Sequence, residues 1–193
     1  APTATDNCSG SITGNTTTSF PITAQGITVV TWTYEDANGN ITTQNQNVVI
    51  EDTTIPVVDG ADFEDVIAEC SVDTLTAPTA TDNCSGIITG TTTSSFPITA
   101  QGTTVVTWIF EENNGNITTQ NQNVVIEDTT DPVVDAATLA DETAQCSLDS
   151  LTAPTATDNC SGSITGNTTT SFPITAQGTT VVTWTYEDAN GNI

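Results

Sequence analysis

The sequence predicts an all-β fold in which small antiparallel β-sandwiches follow one another in a linear array. Three observations carry this prediction. A period of 76 residues runs through the chain, apolar and polar residues alternate in short stretches, and Asn-Gly pairs separate those stretches. No segment has the apolar spacing of a helix over a useful length. Local pattern and internal repetition therefore indicate the same fold class.

The period is clearest in one set of cysteines, because Cys8, Cys84 and Cys160 are each 76 residues apart. Residues 1–41 and 153–193 differ at one position only. A period of this length suits a small independently folded module rather than one turn of a solenoid. The chain accordingly divides into the C-terminal part of one repeat (1–52, the first segment), a complete repeat (53–128, the middle repeat) and the N-terminal part of the next (129–193, the third segment).

The central hairpin of the middle repeat has the strongest local signal. In TTVVTWIFEE, the side chains of Val106, Trp108 and Phe110 alternate onto one face, as in a half-buried strand. ENNGN at 112–116 is typical of a hairpin turn, so NITTQNQNVVIED at 116–128 is predicted to return as the partner strand.

Further short strands complete the predicted sandwich. Pro132-Val133-Val134 has the pattern of a first edge strand, where proline is tolerated, and FPITAQG at 96–102 indicates a short strand followed by a turn. About seven short strands per period, with a tryptophan on a late strand, are typical of an immunoglobulin-like antiparallel β-sandwich.

The composition restricts the function. The chain has 24 Asp and Glu residues, no Lys, Arg or His, and a formal charge of −24. Nucleic acid is excluded as a direct partner because phosphates are neutralised by Lys and Arg, and no apolar run is long enough for membrane insertion. Without His and Lys, the usual nucleophile–base pairs and His-ligated zinc sites are excluded, so we predict that the chain is not an enzyme. Its carboxylates and amides are ligands that suit Ca²⁺.

Each complete cysteine pair consists of a leading cysteine and a trailing cysteine 14 positions later. We predict structural disulfides within the repeats, Cys70–Cys84 and Cys146–Cys160, each contributing about 3 kcal/mol. A redox switch, a zinc site and a reactive thiol are the alternatives, although no CxxC spacing is present. The partner of Cys8 is expected to lie outside the chain.

With these residues in view, the repeat resembles the HYR (hyalin repeat) family of immunoglobulin-like modules. The matching motifs are P-x-A-x-DN-x-x-G at 78–86, FPI-x-x-x-GTTVV-x-W at 96–108, D-x-x-GN in the hairpin turns, and ED-x-x-x-P after the last strand. More narrowly, the TATDNCSG stretches are similar to tandem repeats of very large cell-surface adhesins in gliding bacteria. The resemblance implies an extracellular, cell-surface location, an adhesion or spacer role, and no catalytic activity.

Acidic residues are predicted to form calcium sites at the two junctions between repeats, because loops of a sandwich gather at the end where the chain enters. At the first junction the candidate ligands are Glu51, Asp52, Asp59, Asp82, Glu111, Glu112 and Asn114. At the second junction they are Glu127, Asp128, Asp131, Asp135, Asp158, Glu187, Asp188 and Asn190. The alternative is that these acids only solvate the loops of a surface protein.

These observations together predict a non-catalytic spacer repeat of a long extracellular adhesin or surface filament. Disulfides within the repeats stabilise it, calcium rigidifies its linkers, and its partners are neighbouring repeats, further copies in a filament, or a surface ligand. The alternative is a multivalent glycan- or protein-binding module that acts through avidity. A glycoside hydrolase using paired carboxylates is a third class, but the acids lie in turns and linkers with no evident cleft.

Overall fold

The computed structural model describes all 193 residues, and its regular structure consists of thirteen β-strands without a helix. The strands are β1 (Thr3–Asp6), β2 (Gly10–Thr13), β3 (Gly26–Glu35), β4 (Ile41–Ile50), β5 (Val57–Val58), β6 (Val66–Ala68), β7 (Thr79–Asp82), β8 (Gly86–Thr89), β9 (Gly102–Glu111), β10 (Ile117–Ile126), β11 (Val133–Val134), β12 (Thr155–Asp158) and β13 (Gly162–Thr165). The all-β prediction is confirmed.

The middle repeat contains two three-stranded sheets, with strand orders β5-β7-β8 and β6-β10-β9. β9 and β10 pair antiparallel over their whole length, and β6 pairs parallel with the C-terminal end of β10. The predicted inward-facing residues of β9 are buried, with exposed fractions of 0% for Val106, 3% for Trp108 and 0% for Phe110. They pack with Ala80 and Val124 in one hydrophobic cluster. The alternating pattern therefore identified both the hairpin and its buried face.

The weaker strand predictions have mixed outcomes. Val133 and Val134 form the edge strand β11, which pairs with β12. FPITAQG does not form a strand, and that prediction is wrong: Ile98 makes only an isolated bridge to Val72. Pro97 has no backbone N–H to donate to a ladder, which limits pairing here to the residue that follows it.

The two outer segments have fewer paired strands than the middle repeat. In the first segment β1 pairs with β2 and β3 with β4, and in the third segment β11, β12 and β13 form one sheet. Residues 179–187 have nearly the sequence of β3 but make only a bridge between Thr185 and Asn167. A ladder needs a partner strand, and Ile193 corresponds to Ile117, the first residue of β10. The same sequence therefore forms a strand only where its partner is present.

The disulfide joins two different repeats, so the predicted pairings Cys70–Cys84 and Cys146–Cys160 are wrong. Cys70 is bonded to Cys160 with a Cα–Cα distance of 5.1 Å, and Cys8, Cys84 and Cys146 are free thiols.

The long strands explain why Cys70 does not reach Cys84. Cys70 follows β6, which runs beside the C-terminal end of β10, whereas Cys84 lies in the β7–β8 turn. That turn contacts the other end of the hairpin, because the hydroxyl of Ser85 donates to Glu112 at 2.6 Å. Strands of ten residues place these two ends roughly 30 Å apart.

Candidate metal centres at the repeat junctions

Three aspartates from three separate parts of the chain meet at the second junction. Asp128 lies in the linker after β10, Asp158 ends β12, and Asp188 lies in the turn after 179–187. One carboxylate oxygen from each lies within 4.8 Å of the others, and the exposed fractions are 6%, 4% and 8%. We call these three residues the second-junction cluster. It contains acids from both repeats that the linker connects.

Backbone N–H groups hold two of these carboxylates in place. Oδ1 of Asp158 accepts from the N–H of Cys160 at 2.9 Å and from that of Ser161 at 2.5 Å. Oδ1 of Asp188 accepts from the N–H of Asn192 at 2.9 Å, and its Oδ2 accepts from the side-chain amide of Asn192 at 2.8 Å. The turns that follow each aspartate therefore fix its side chain before any ligand is considered.

Two oxygens of the second-junction cluster have no hydrogen-bond partner. Oδ1 of Asp128 accepts from the N–H of Thr130 at 3.2 Å, but its Oδ2 is buried and unpaired. Oδ2 of Asp158 is also buried and unpaired. A buried carboxylate oxygen without a partner is costly, so such groups usually mark a missing ligand or a functional role.

The electrostatics of the cluster favour a cation. Burial, together with the charges of Asp158 and Asp188, raises the pKa of Asp128. Burial also opposes ionisation of Asp188, but the hydrogen bonds from Asn192 outweigh it and leave that pKa below its usual value. The chain has no Lys, Arg or His to compensate these charges.

The donor set fits Ca²⁺, a hard cation that takes six to eight oxygen ligands. The cluster offers one carboxylate from the linker and two from the following repeat, including the two unpaired oxygens. Backbone carbonyls or water would supply the remaining ligands. Zinc sites are built mainly from nitrogen and thiolate ligands, and the three aspartates supply neither.

The first junction repeats this arrangement with one important difference. Asp52, Asp82 and the Cys84 thiol place their ligand atoms within 4.8 Å of one another, and Oδ2 of Asp82 is buried and unpaired. The position of Asp188 is occupied by Glu112, whose longer side chain bonds Ser85 and Asn116 instead. The first junction therefore brings two aspartates together where the second brings three.

At the first junction, neighbouring groups shift the pKa values of Asp82 and of the Cys84 thiol. Oδ1 of Asp82 accepts from the N–H of Cys84 at 2.7 Å and from that of Ser85 at 2.8 Å, and these bonds, that of Ser85 foremost, lower the pKa of Asp82. Desolvation, followed by the nearby Asp52 carboxylate, raises the pKa of the Cys84 thiol.

One asparagine at each junction docks the linker against the following repeat, and the sequence analysis missed both. The side-chain amide of Asn116 donates to the backbone carbonyl of Asp52 at 3.1 Å, and Asn192 donates to that of Asp128 at 3.2 Å. Both are the last residue of the Asn-Gly-Asn hairpin turn, which is the sequence signal that could have identified them. The repeated contact shows that the two linkers dock in the same way.

Apart from Glu112, described above, and Asp59 and Asp135, described below, the predicted ligands fall into three groups. Asp52, Asp82, Asp128, Asp158 and Asp188 are brought together as described, and the side chain of Asn114 lies 3.4 Å from Oδ2 of Asp52. Asn190 contributes a backbone N–H to Asp188 at 2.8 Å. The residues that lie outside both clusters on exposed positions are Glu51, Glu111, Glu127, Asp131 and Glu187.

Asp59 and Asp135 have a different environment from the one predicted. Asp59 accepts from the hydroxyls of Thr79 at 2.6 Å and Thr81 at 2.7 Å, within its own sheet. Asp135 makes the equivalent bonds to Thr155 and Thr157. These hydroxyls lower the pKa of both carboxyls. Both aspartates tie the start of a repeat to its first hairpin.

The fold and the two equivalent junctions define a protein built from repeated all-β units. Residues 130–193 match the family model described as an HYR-like domain with 4 cysteines. The chain is also 35% identical over 213 aligned residues to Hyalin of Lytechinus variegatus and, to the same degree, to Hyalin of Strongylocentrotus purpuratus. The predicted resemblance is confirmed, and the chain carries HYR-like repeat sequence.

These similarities cover nearly all of this chain but only part of the relatives. The alignments include 99% of the chain, 39% of the Lytechinus protein and 17% of the Strongylocentrotus protein. No helix in the structure has the length and apolar character needed to cross a membrane. The narrower resemblance to adhesins of gliding bacteria stays a prediction.

Proposed function

We propose that this chain is a non-catalytic structural segment of a longer extracellular adhesin or surface filament, whose successive repeats are held in one orientation by Ca²⁺ at their junctions. The second-junction cluster is the observation that carries the proposal. The similarity to Hyalin supports an adhesion-type role, and the disulfide supports an oxidising, extracellular environment.

The cluster suits an orientation clamp because its ligands belong to both sides of the junction. Asp128 moves with the linker, whereas Asp158 and Asp188 move with the following repeat. A cation that contacts all three binds the docked arrangement more tightly than an undocked one, and it therefore shifts the population toward the docked state. Without the cation, the three acids repel one another at close range.

The composition supports a role without catalysis. The chain has no Lys, Arg or His, and its closest groups of carboxylates lie at the junctions between repeats. A rigid array of such repeats projects whatever lies at its far end away from the surface that anchors it.

Calorimetric titration with Ca²⁺ tests the clamp. Asp158→Asn removes one ligand charge, while an Asn side-chain oxygen still accepts from the N–H groups of Cys160 and Ser161. Asp141→Asn is the matched control, because it removes the same charge from an exposed position outside both clusters. We expect a dissociation constant of about 0.1–1 mM, as in other extracellular modules.

We expect the Asp158 variant to lose calcium binding at the second-junction cluster and the Asp141 variant to keep it. No measurable binding by the unsubstituted chain, or equal binding by both variants, would contradict the proposal. Neither substitution alters the hydrophobic core of the middle repeat, so the unfolding of that core shows whether each variant is folded.

Multivalent binding is the second candidate function, and the aromatic residues argue against it in the middle repeat. Trp108, the aromatic residue best suited to a glycan, is 3% exposed and belongs to the hydrophobic core. A glycan panel probed with the chain distinguishes the two functions, since a spacer is expected to bind none of the glycans.

A further inference from the structure

The disulfide has a spacing that identifies it as a bond between successive repeats. Cys70 is the leading cysteine of the middle repeat, and Cys160 is the trailing cysteine of the third segment. Their separation of 90 residues equals one period of 76 residues plus the 14 positions between a leading and a trailing cysteine. The bond therefore follows the rule that a leading cysteine pairs with the trailing cysteine of the next repeat.

We propose that this bond recurs at every junction, so that Cys84 pairs with the leading cysteine of a preceding repeat and Cys146 pairs with the trailing cysteine of a following repeat. The inference rests on the proposed function, because it requires that this chain is part of a longer array. It assigns a covalent partner to two thiols that are free in this chain.

Cys84 occupies the same place at the first junction that Cys160 occupies at the second. Its N–H donates to Asp82 at 2.7 Å, as that of Cys160 does to Asp158 at 2.9 Å. Its sulfur lies within 4.8 Å of a carboxylate oxygen of Asp52, a residue of the preceding linker. The Cys84 thiol therefore already faces the repeat that would supply its partner.

Cys146 occupies the same place in the third segment that Cys70 occupies in the middle repeat. The backbone carbonyl of the residue before each cysteine accepts a hydrogen bond from a glutamine side chain. Gln101 donates to Glu69 at 3.3 Å, and Gln177 donates to Gln145 at 3.5 Å. The residue two positions after each cysteine makes a β-bridge, Val72 to Ile98 and Leu148 to Ile174. Cys146 is exposed and available to a following repeat.

Forming each bond is a two-electron oxidation. A small-molecule disulfide such as oxidised glutathione accepts the two electrons and two protons of the paired thiols and leaves as two thiol molecules. One protein thiolate attacks this oxidant to give a mixed disulfide, and the second protein thiolate then displaces the remaining thiol.

The recurring bond changes how an array carries tension. All eight buried residues of the middle core, from Val72 to Ile126, lie between Cys70 and Cys160. Tension that reaches Cys70 passes through the disulfide to Cys160. It then follows the chain back from Cys160 to Cys146 and passes through the next disulfide to the following repeat. Only this 15-residue stretch of each 76-residue repeat is loaded, about 50 Å of extended chain instead of about 260 Å. In the middle repeat the loaded stretch is 70–84, which contains Val72 and Ala80, and the other six buried residues of the core lie outside it.

A disulfide map of a lengthened chain tests the inference. A copy of residues 42–117 is added after Ile193, which continues the period by one full repeat, and Cys8 and Cys84 are replaced by Ser. Free thiols are first blocked at acidic pH. The protein is then cut after Asp and Glu, because the chain has no Lys or Arg at which trypsin could cut. The added repeat contains a second CSVD peptide, but CSLD, NCSGSITG and NCSGIITG each occur once and identify the linked pairs.

The two pairing rules give different cross-linked peptides. Bonds between repeats link CSLD, from Cys146, to NCSGIITG of the added repeat, and CSVD to NCSGSITG, from Cys160. Bonds within repeats link CSLD to NCSGSITG and CSVD to NCSGIITG. We expect the first set; the second set, or a Cys146 that remains blocked as a free thiol, overturns the inference.

Calcium titration of the same lengthened chain separates this inference from the proposed function. Calcium binding together with bonds within repeats would refute the pairing rule alone. Bonds between repeats without calcium binding would refute the clamp alone.

Discussion

Cys160→Ser is expected to destabilise the chain far more than the same change at a free thiol. The bond to Cys70 closes a loop over a separation of 90 residues that contains the entire middle core. For a loop of this length the chain-entropy relation gives about 4.6 kcal/mol, against about 3 kcal/mol for a 15-residue loop within one repeat. The size of the loss therefore reports which pairing exists.

Denaturant unfolding followed by tryptophan fluorescence measures this loss, since Trp108 is 3% exposed and changes environment on unfolding. Cys70→Ser is expected to cost the same as Cys160→Ser, and the double variant no more than either. Cys84→Ser and Cys146→Ser are the matched controls, with changes of less than about 0.5 kcal/mol. A loss at Cys84 equal to that at Cys160, with Cys146 matching Cys70, would refute the pairing between repeats.

Three further predictions address the core, the cluster and the load path. Phe110→Ala is expected to lower the free energy of unfolding by about 3–5 kcal/mol, because its ring is fully buried, while Val105→Ala on the exposed face of β9 changes it by less than about 0.5 kcal/mol in the same denaturant assay. In EGTA, the stability of the unsubstituted chain relative to Asp128→Asn is expected to fall as the pH rises from about 4 through the raised pKa of Asp128, because the folded state binds that proton more tightly than the unfolded state. Melting temperatures of both chains across this range check it, since the comparison removes the opposite effect of carboxyls with lowered pKa values such as Asp82 and Asp188; a relative stability that does not fall would contradict the assignment. Stretching single molecules by their ends is expected to release about 300 Å more chain after reduction than before it, the length of the 90-residue loop, and equal lengths would show that no such loop is closed.

The strands of the middle repeat could be predicted because their signal is local. Alternation of Val106, Trp108 and Phe110 defines a buried face of β9, and the Asn-Gly turn sets the direction of the returning strand. The third segment shows the limit of local signals. Residues 179–187 have the same alternation but no partner strand beside them, so they do not form a ladder.

The acidic positions could have been sorted further by the same alternation. Ile126 is buried, Glu127 is exposed and Asp128 is buried, because successive side chains point to opposite faces as the strand runs into the linker. The exposed Glu127 therefore could not join the cluster. The difference between Asp188 and Glu112 depends on side-chain length and required the three-dimensional arrangement.

The disulfide pairing could not be read from the cysteine spacing. In a periodic chain, a pair 14 residues apart within one repeat also implies pairs 90 residues apart between neighbours, so both rules fit the same sequence. The choice depends on which ends of the strands the cysteines occupy. Cys70 lies at the exit end of the middle repeat and Cys84 at its entry end, and this follows only from the pairing of β6 with β10.

The most direct test of the calcium clamp is the melting temperature of the chain in 10 mM Ca²⁺ and in EGTA. With a dissociation constant of about 0.1–1 mM, binding contributes about 1.4–2.7 kcal/mol, which raises the melting temperature by several degrees. Asp128→Asn is expected to abolish most of this rise, and Asp141→Asn to preserve it. An unchanged midpoint in the unsubstituted chain would contradict a structural ion at the junctions.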